Sequence, residues 1–226
     1  MSETRSDTSD GAMLDQFEIR VLAVLAEKEA LTPDNYPLSL NSLTNGCNQV
    51  SSRDPVMSIS EQTVADILQR LMQKKLVAAI QQAGARVVKY EHRMRVKWVL
   101  EQDKLAPLVV LMLRGLQTAG EIRSRSGRIH EFGSLPELER ALQFLIDKYP
   151  PLVVKLPLAP GTKEARYGHT LAGEEALKQQ EMAASYASSV ITHPTPSGHL
   201  EQEVASLRQE VAELRQQFEL FKKQFE

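Results

Sequence analysis

Eight cations crowd into residues 70–97: Arg70, Lys74, Lys75, Arg86, Lys89, Arg93, Arg95 and Lys97, with Glu91 the single carboxylate among them. A local excess of this kind suits polyanions, and phosphate backbones above all. The chain as a whole has a net charge of −2, so such binding would have to come from this patch and not from total charge. The competing reading is a solvated basic face. Catalytic chemistry has less to stand on. The histidines, at positions 92, 130, 169, 193 and 199, form no HExxH pattern, and none sits at a metal-ligand spacing from Cys47, the one cysteine. No GxxxxGK loop is present to cradle a phosphate. No metal site and no cofactor are expected. Were the chain an enzyme of another type, Arg53, Asp54 and His169 would be the first residues to test.

The patch has to be positioned by the stretch Ser60–Val77. Val64, Ile67, Leu68 and Leu71 recur at helical spacing and make one apolar stripe. Ser60 is a suitable N-cap, and Ile59 with Val64 can close a hydrophobic staple. The pattern then changes to LVAAI and RVVKY, two β-like runs around Gly84. A capped helix running into a two-stranded ribbon reads as the end of a winged helix-turn-helix domain. Opposite the stripe lie Gln62, Asp66, Gln69 and Gln73, with Arg70 on the shoulder. Glutamine bonds adenine edges in a major groove, whereas Asp66 would set a negative charge against phosphates. The candidate nucleic-acid contacts are Gln62, Gln69, Arg70, Gln73, Lys74, Arg86, Lys89, Arg93 and Arg95.

The elements before this helix are also legible. Asp15-Gln-Phe-Glu18 has capping-box spacing and opens a helix expected to end near Glu29, with Leu14 and Ile19 as its staple. LTPDNYP (31–37) is a loop by its prolines. A short helix follows, capped by Ser39, with Leu40, Leu43 and Cys47 on one side; Gly46 within it favours a short or irregular element. Between Met94 and Leu100 the period does not separate strand from helix.

The second half repeats this order. Leu105–Leu116 is an apolar helix and Ala119–Ile129 a short one. Ser134-Leu-Pro-Glu137 has capping-box spacing before a stripe of Leu138, Ala141, Leu142 and Leu145, which an offset of 74 residues lays on Val64, Ile67, Leu68 and Leu71. LVVKLPL and ARYGHTL flank APGTKE as a second wing. The second outward face reads Pro136, Arg140, Gln143 and Asp147, with Phe144 where the first has Arg70. That face suits protein better than DNA. Arg123, Arg125 and Arg128 make a smaller basic cluster.

Two further segments are expected after the repeats. Residues 173–199 read as a helix and linker. From residue 200 the apolar positions Leu200, Val204, Leu207, Val211, Leu214, Phe218, Phe221 and Phe225 alternate spacings of four and three. Valine at a with leucine at d favours a parallel two-stranded coil, and Glu203–Arg208 and Glu210–Arg215 pairings between copies agree with it. The competing reading is a helix folded onto its own domain. The first residues, MSETRSDTSDGA, are polar and small, so residues 1–13 are expected to be a disordered tail without the apolar core of a signal peptide. No apolar run is long enough to span a bilayer, and a cytoplasmic location is expected.

Three stretches, YPLSLNSLTNGCNQVSSRDPVMSISEQTV (36–64), VLMLRGLQTAGEIRSR (110–125) and PGTKEARYGHTL (160–171), resemble the signature of the bacterial YceH-like proteins. The resemblance covers about residues 14–172. It implies a tandem pair of winged-helix domains and brings no biochemical activity with it. The expected fold is therefore mainly α with small β wings: winged helices at 14–98 and 99–172, and a coiled coil at 200–226. The expected function is non-enzymatic binding of double-stranded DNA through the first winged helix, with transcriptional regulation as the role that would follow. Two copies would be joined by the coil. The alternative is a protein–protein adaptor that uses the tandem domains, the second in particular, without touching DNA.

Overall fold

A computed structural model describes residues 13–81, 84, 86–158 and 162–192, with side chains as far as Met182. Residues 1–12 of the tail expected over 1–13, the linker 193–199 and the coil residues Leu200, Val204, Leu207, Val211, Leu214, Phe218, Phe221 and Phe225 lie outside the described residues, while Met13 is described and its carbonyl accepts from Lys74. Among those described, the chain is mixed α and β, with eight α-helices and two three-stranded antiparallel sheets. No described helix is long and apolar enough to cross a membrane.

Helix α1 (Gln16–Leu31) opens on the capping box read from sequence: Asp15 accepts from the Phe17 and Glu18 amides, and Glu18 returns a bond to the Asp15 amide. It runs two residues past its expected end, because the first proline of the following loop is Pro33. Strand β1 (Leu38–Ser39) leads into α2 (Leu40–Cys47), capped by Ser39. Gly46 stays inside that helix for a steric reason: a Cβ there would stand 2.6 Å from Val24 Cγ1 of α1. Helix α3 (Glu61–Gln73) is capped by Ser60 and buries Val64, Ile67, Leu68 and Leu71, the stripe expected. It ends in a Schellman motif, with Lys75 at φ 58° and the Leu76 amide bonded to the Leu71 carbonyl. Strands β2 (Val77–Ile80) and β3 (Lys89–His92) complete a sheet of order β1-β3-β2, with Val77 opposite His92 and Leu38 opposite Tyr90.

The bridge resolves as a short helix, α4 (Met94–Trp98), ending on Val99 in the left-handed region. Helix α5 (Gln102–Arg114) starts earlier than its apolar run suggests, since its first turn is polar. Strand β4 (Gln117–Thr118), α6 (Ala119–Ser126), α7 (Leu135–Ile146), β5 (Val153–Lys155) and β6 (Arg166–His169) then follow in the order of the first half. The second sheet has order β4-β6-β5, with Val153 opposite His169 and Gln117 opposite Tyr167. Helix α7 buries Leu138, Ala141, Leu142 and Leu145 as expected. The capping box expected at Ser134 is not made. Ser134 has no side-chain cap bond, and Glu137 accepts instead from the Gly133 amide at 2.9 Å. Pro136 at the second helical position has no N–H, which removes one of the two amides a cap side chain takes. Helix α8 (Gly173–Thr192) follows.

The core is one cluster drawn from both halves. Residues 18–27 of α1 and 105–113 of α5 are buried on all sides, as befits helices packed against each other at the centre. Polar ties join the halves as well. The Asp54 amide donates to the Leu113 carbonyl and the Leu14 amide to Leu171, both at 2.9 Å.

Candidate functional site

The outward face of α3 is as the stripe requires: Gln62, Asp66, Gln69 and Gln73 are all exposed. Gln62 is tied to Asp66, its Nε2 donating to Oδ1 at 3.0 Å. Gln69 and Gln73 remain available on the surface.

The cations of the patch divide into two groups. Arg70 Nη2 donates to Asp15 Oδ2 at 2.9 Å and its Nε to Glu18 Oε1 at 3.2 Å. Lys74 Nζ reaches Glu18 Oε2 at 2.7 Å and the Met13 carbonyl at 3.1 Å. Burial pushes the Glu18 carboxyl upward, but the Lys74 ammonium, the Asp15 amide and Arg70 outweigh it and hold the group below the ordinary carboxylate value. Arg93 pairs with Glu91 at 2.8 Å. Arg95 donates to Glu29 at 3.0 Å and to Gln102, which itself donates to the Ile129 carbonyl. Arg70, Lys74, Arg93 and Arg95 are thus engaged inside the molecule. Asp15, Glu18 and Glu29 come from α1 and its cap, so the eight cations face four carboxylates and not one.

The second group is unpaired among the described residues. Lys75 after α3, Arg86 between β2 and β3, Lys89 on β3 and Lys97 on α4 are exposed and make no ion pair or side-chain hydrogen bond with the described residues. Lys75 and Lys97 belong to the basic patch of the sequence but not to its candidate contacts. What marks them is the absence of a carboxylate, which becomes visible only when the chain is folded.

The histidine of the first sheet is held in a polar chain. His92 Nδ1 accepts from the Met94 amide at 3.2 Å, so the proton sits on Nε2, 3.1 Å from Glu29 Oε2. That hydrogen bond, against the opposing effect of burial and together with Arg95, holds the Glu29 carboxyl below its usual value. In the second sheet His169 is buried with Nδ1 unpartnered, and desolvation drives its pKa down to about 4.

Arg53 of the RDPVM stretch makes a buried clasp, while Asp54, Pro55 and Val56 after it are exposed. The Arg53 side chain is 0% exposed and meets Glu27 at 3.0 and 2.6 Å, the Gly46 carbonyl, and Gln49 at 2.8 Å. Arg20 beside it donates to the Cys47 and Pro55 carbonyls. Asp54 fixes the same loop to α5 through its amide. Burial pushes the Cys47 thiol up to about 12, far from the thiolate a nucleophile needs. Among the described residues no group of three His, Cys, Asp or Glu side chains is placed to hold a metal ion.

On the second outward face Arg140, Gln143 and Asp147 are exposed, and Gln143 bonds Asp147 at 2.7 Å. Phe144 is 41% exposed, beneath Lys148 and Lys104 at 5.0 and 5.5 Å from its ring centre. Arg123 is taken by the Phe132 and Gly133 carbonyls and Arg125 by Glu121, which leaves Arg128 as the member of that cluster unpaired among the described residues.

Residues 14–162 match the family model described as "Protein of unknown function, DUF480". A UPF0502 protein of Herminiimonas arsenicoxydans is 60% identical over 210 residues, covering 91% of this chain and 89% of the relative. One from Janthinobacterium sp. (strain Marseille) is 61% identical over 204 residues, covering 89% and 88%. One from Aromatoleum aromaticum is 48% identical over 206 residues, with 90% of each chain covered. The match across both repeats, clasp and bridge included, establishes that the chain belongs to the DUF480/UPF0502 family of bacterial proteins, with which its resemblance to the YceH-like proteins is consistent.

Proposed function

We propose that the chain is a non-enzymatic, cytoplasmic DNA-binding protein built from two tandem winged helix-turn-helix domains, the first at 14–98 and the second at 99–172. The order helix, strand, helix, helix, strand, strand in each repeat supports the winged-helix reading. The observation that carries DNA binding is the row of unpaired, exposed cations Lys75, Arg86, Lys89 and Lys97 along the end of α3, the wing and the bridge. These parts of a winged helix meet phosphates, and they supply affinity without reading bases. Gln69 and Gln73 add at most a modest base preference. Residues 200–226 pair two copies as a parallel coil, and regulation of transcription is the role that follows.

The test is fluorescence anisotropy with a labelled duplex of mixed sequence across a salt series. Arg86→Ala with Lys89→Ala should weaken binding and flatten the log–log salt slope by about 1.8, at about 0.9 for each phosphate no longer neutralised. An unchanged affinity and slope would sink the assignment. Leu207→Lys should give monomers by sedimentation.

One observation favours a second reading, a protein–protein adaptor without direct DNA contact. Phe144 stands partly exposed on α7 where α3 carries Arg70. A tenfold loss of a protein partner on Phe144→Asp, with duplex affinity absent in the wild type, would favour the adaptor.

A further inference from the structure

We propose that Asp15 occupies the place of a nucleic-acid phosphate, holding Arg70 ready at the edge of the interface, and that a bound duplex takes Arg70 over by displacing this carboxylate. The proposal rests on the DNA-binding reading above. The two oxygens of Asp15 divide their work. Oδ1 accepts the Phe17 and Glu18 amides, each at 2.8 Å, and caps α1. Oδ2 takes Arg70 Nη2 at 2.9 Å. The guanidinium can therefore leave without uncapping the helix.

The two carboxylates on Arg70 also differ. Asp15 and Arg70 are about half exposed, 47% and 45%, so solvent and salt weaken their attraction. Glu18 is 2% exposed and is held by Lys74 at 2.7 Å as well. Its bond to Arg70 Nε, at 3.2 Å, holds the guanidinium in place while Nη2 changes partner. Arg70 adjoins exposed Gln69 on α3 and stands three residues before Gln73, so a phosphate reaching this face meets a fork already oriented. Guanidinium forks fit phosphate oxygens as they fit carboxylates. The ordering that such an interaction ordinarily costs has been met within the folded chain.

Asp15→Asn tests this on the full chain, since asparagine caps a helix as well as aspartate does but offers Arg70 an amide instead of an anion. With a labelled mixed-sequence duplex at low salt, Asp15→Asn should bind about two- to fivefold tighter, the fold-change an exposed pair of this kind represents. In an Arg70→Ala background the same substitution should change nothing, which separates release of Arg70 from a general gain of one positive charge. Asp15→Ser, with a single cap oxygen, should repeat the gain. Equal gains in both backgrounds, or no gain while the wild type binds, would overturn the clamp and leave DNA binding standing. Absence of duplex binding by all of these proteins would overturn both.

Discussion

The two repeats follow the same path and set a histidine at the same place in each sheet, yet they solve it in opposite ways. His92, opposite Val77, is bonded at both ring nitrogens and joins Glu29, Arg95 and Gln102 in one chain of polar contacts. His169, opposite Val153, is buried with one nitrogen unpartnered. The divergence extends outward. The first repeat carries Lys75, Arg86, Lys89 and Lys97, unpaired among the described residues, and the buried Arg53–Glu27 pair; the second presents Phe144 beneath two lysines. A common scaffold thus carries two different sets of side chains on its surface and in its core. What the repeat shares is topology, and what distinguishes its halves is which buried polar groups have partners.

The largest effect expected is at the clasp that only the first repeat has. Arg53→Ala leaves Glu27 buried without its hydrogen-bonded partner, with only Lys28 at 3.9 Å, and should cost about 3–5 kcal/mol in urea unfolding; a loss below about 1 kcal/mol would put the clasp on a par with a surface pair. Next comes acid. His169 has its pKa lowered in the fold to about 4, so between its ordinary value near 6.5 and about 4 the unfolded chain binds the extra proton. Stability should fall by up to about 3 kcal/mol as pH drops through that window. His169→Leu should abolish the fall, and its persistence would assign it elsewhere. Glu18 and Glu29 act lower on the scale. Their folded pKa values lie below the ordinary carboxylate value, so their contribution is full above it and is lost as pH drops through the depressed values. The second repeat should therefore weaken at a higher pH than the first, which segment-resolved hydrogen exchange can follow.

His92→Leu sharpens the contrast at neutral pH. It strands the Met94 amide and leaves Glu29 without one of its partners, at about 1–3 kcal/mol, whereas His169→Leu at pH 7 should be near neutral by thermal melt. Phe144→Ala should cost about 1 kcal/mol through its two cation–π interactions. The smallest effect is a gain. Val99 is β-branched, 75% exposed and at φ 51°, so Val99→Gly should raise stability by roughly 0.5–1 kcal/mol. A loss there would reveal a contact made by the valine side chain.

Local features are legible in the sequence. The Asp15–Glu18 capping box, the Ser60 cap and the two apolar stripes each involve residues within one or two helical turns, and each is found in place. The bridge is not legible, because Met94–Trp98 is too short for a period to declare itself. The strands β1 and β4 escape for the same reason, with two residues apiece. Ser134 shows that spacing alone does not make a capping box when a proline removes an amide. The site is less legible than the fold. Counting charge from residue 70 to 97 passes over Asp15, Glu18 and Glu29, whose partners lie 52 to 66 residues away in sequence. Arg53 reads as a candidate for chemistry because nothing near it in the sequence announces Glu27.

The bond from Leu14 to Leu171 has a topological consequence. Where the double repeat begins and where it finishes are neighbours, so the pair of halves is nearly a closed ring. A short splice from Leu171 to Leu14 would preserve the order of packing, and a cut at exposed Val99 would supply new ends. Such a circular permutant would begin with α5 and end with α4. It would make the basic bridge a free terminus while leaving the α1–α5 centre intact.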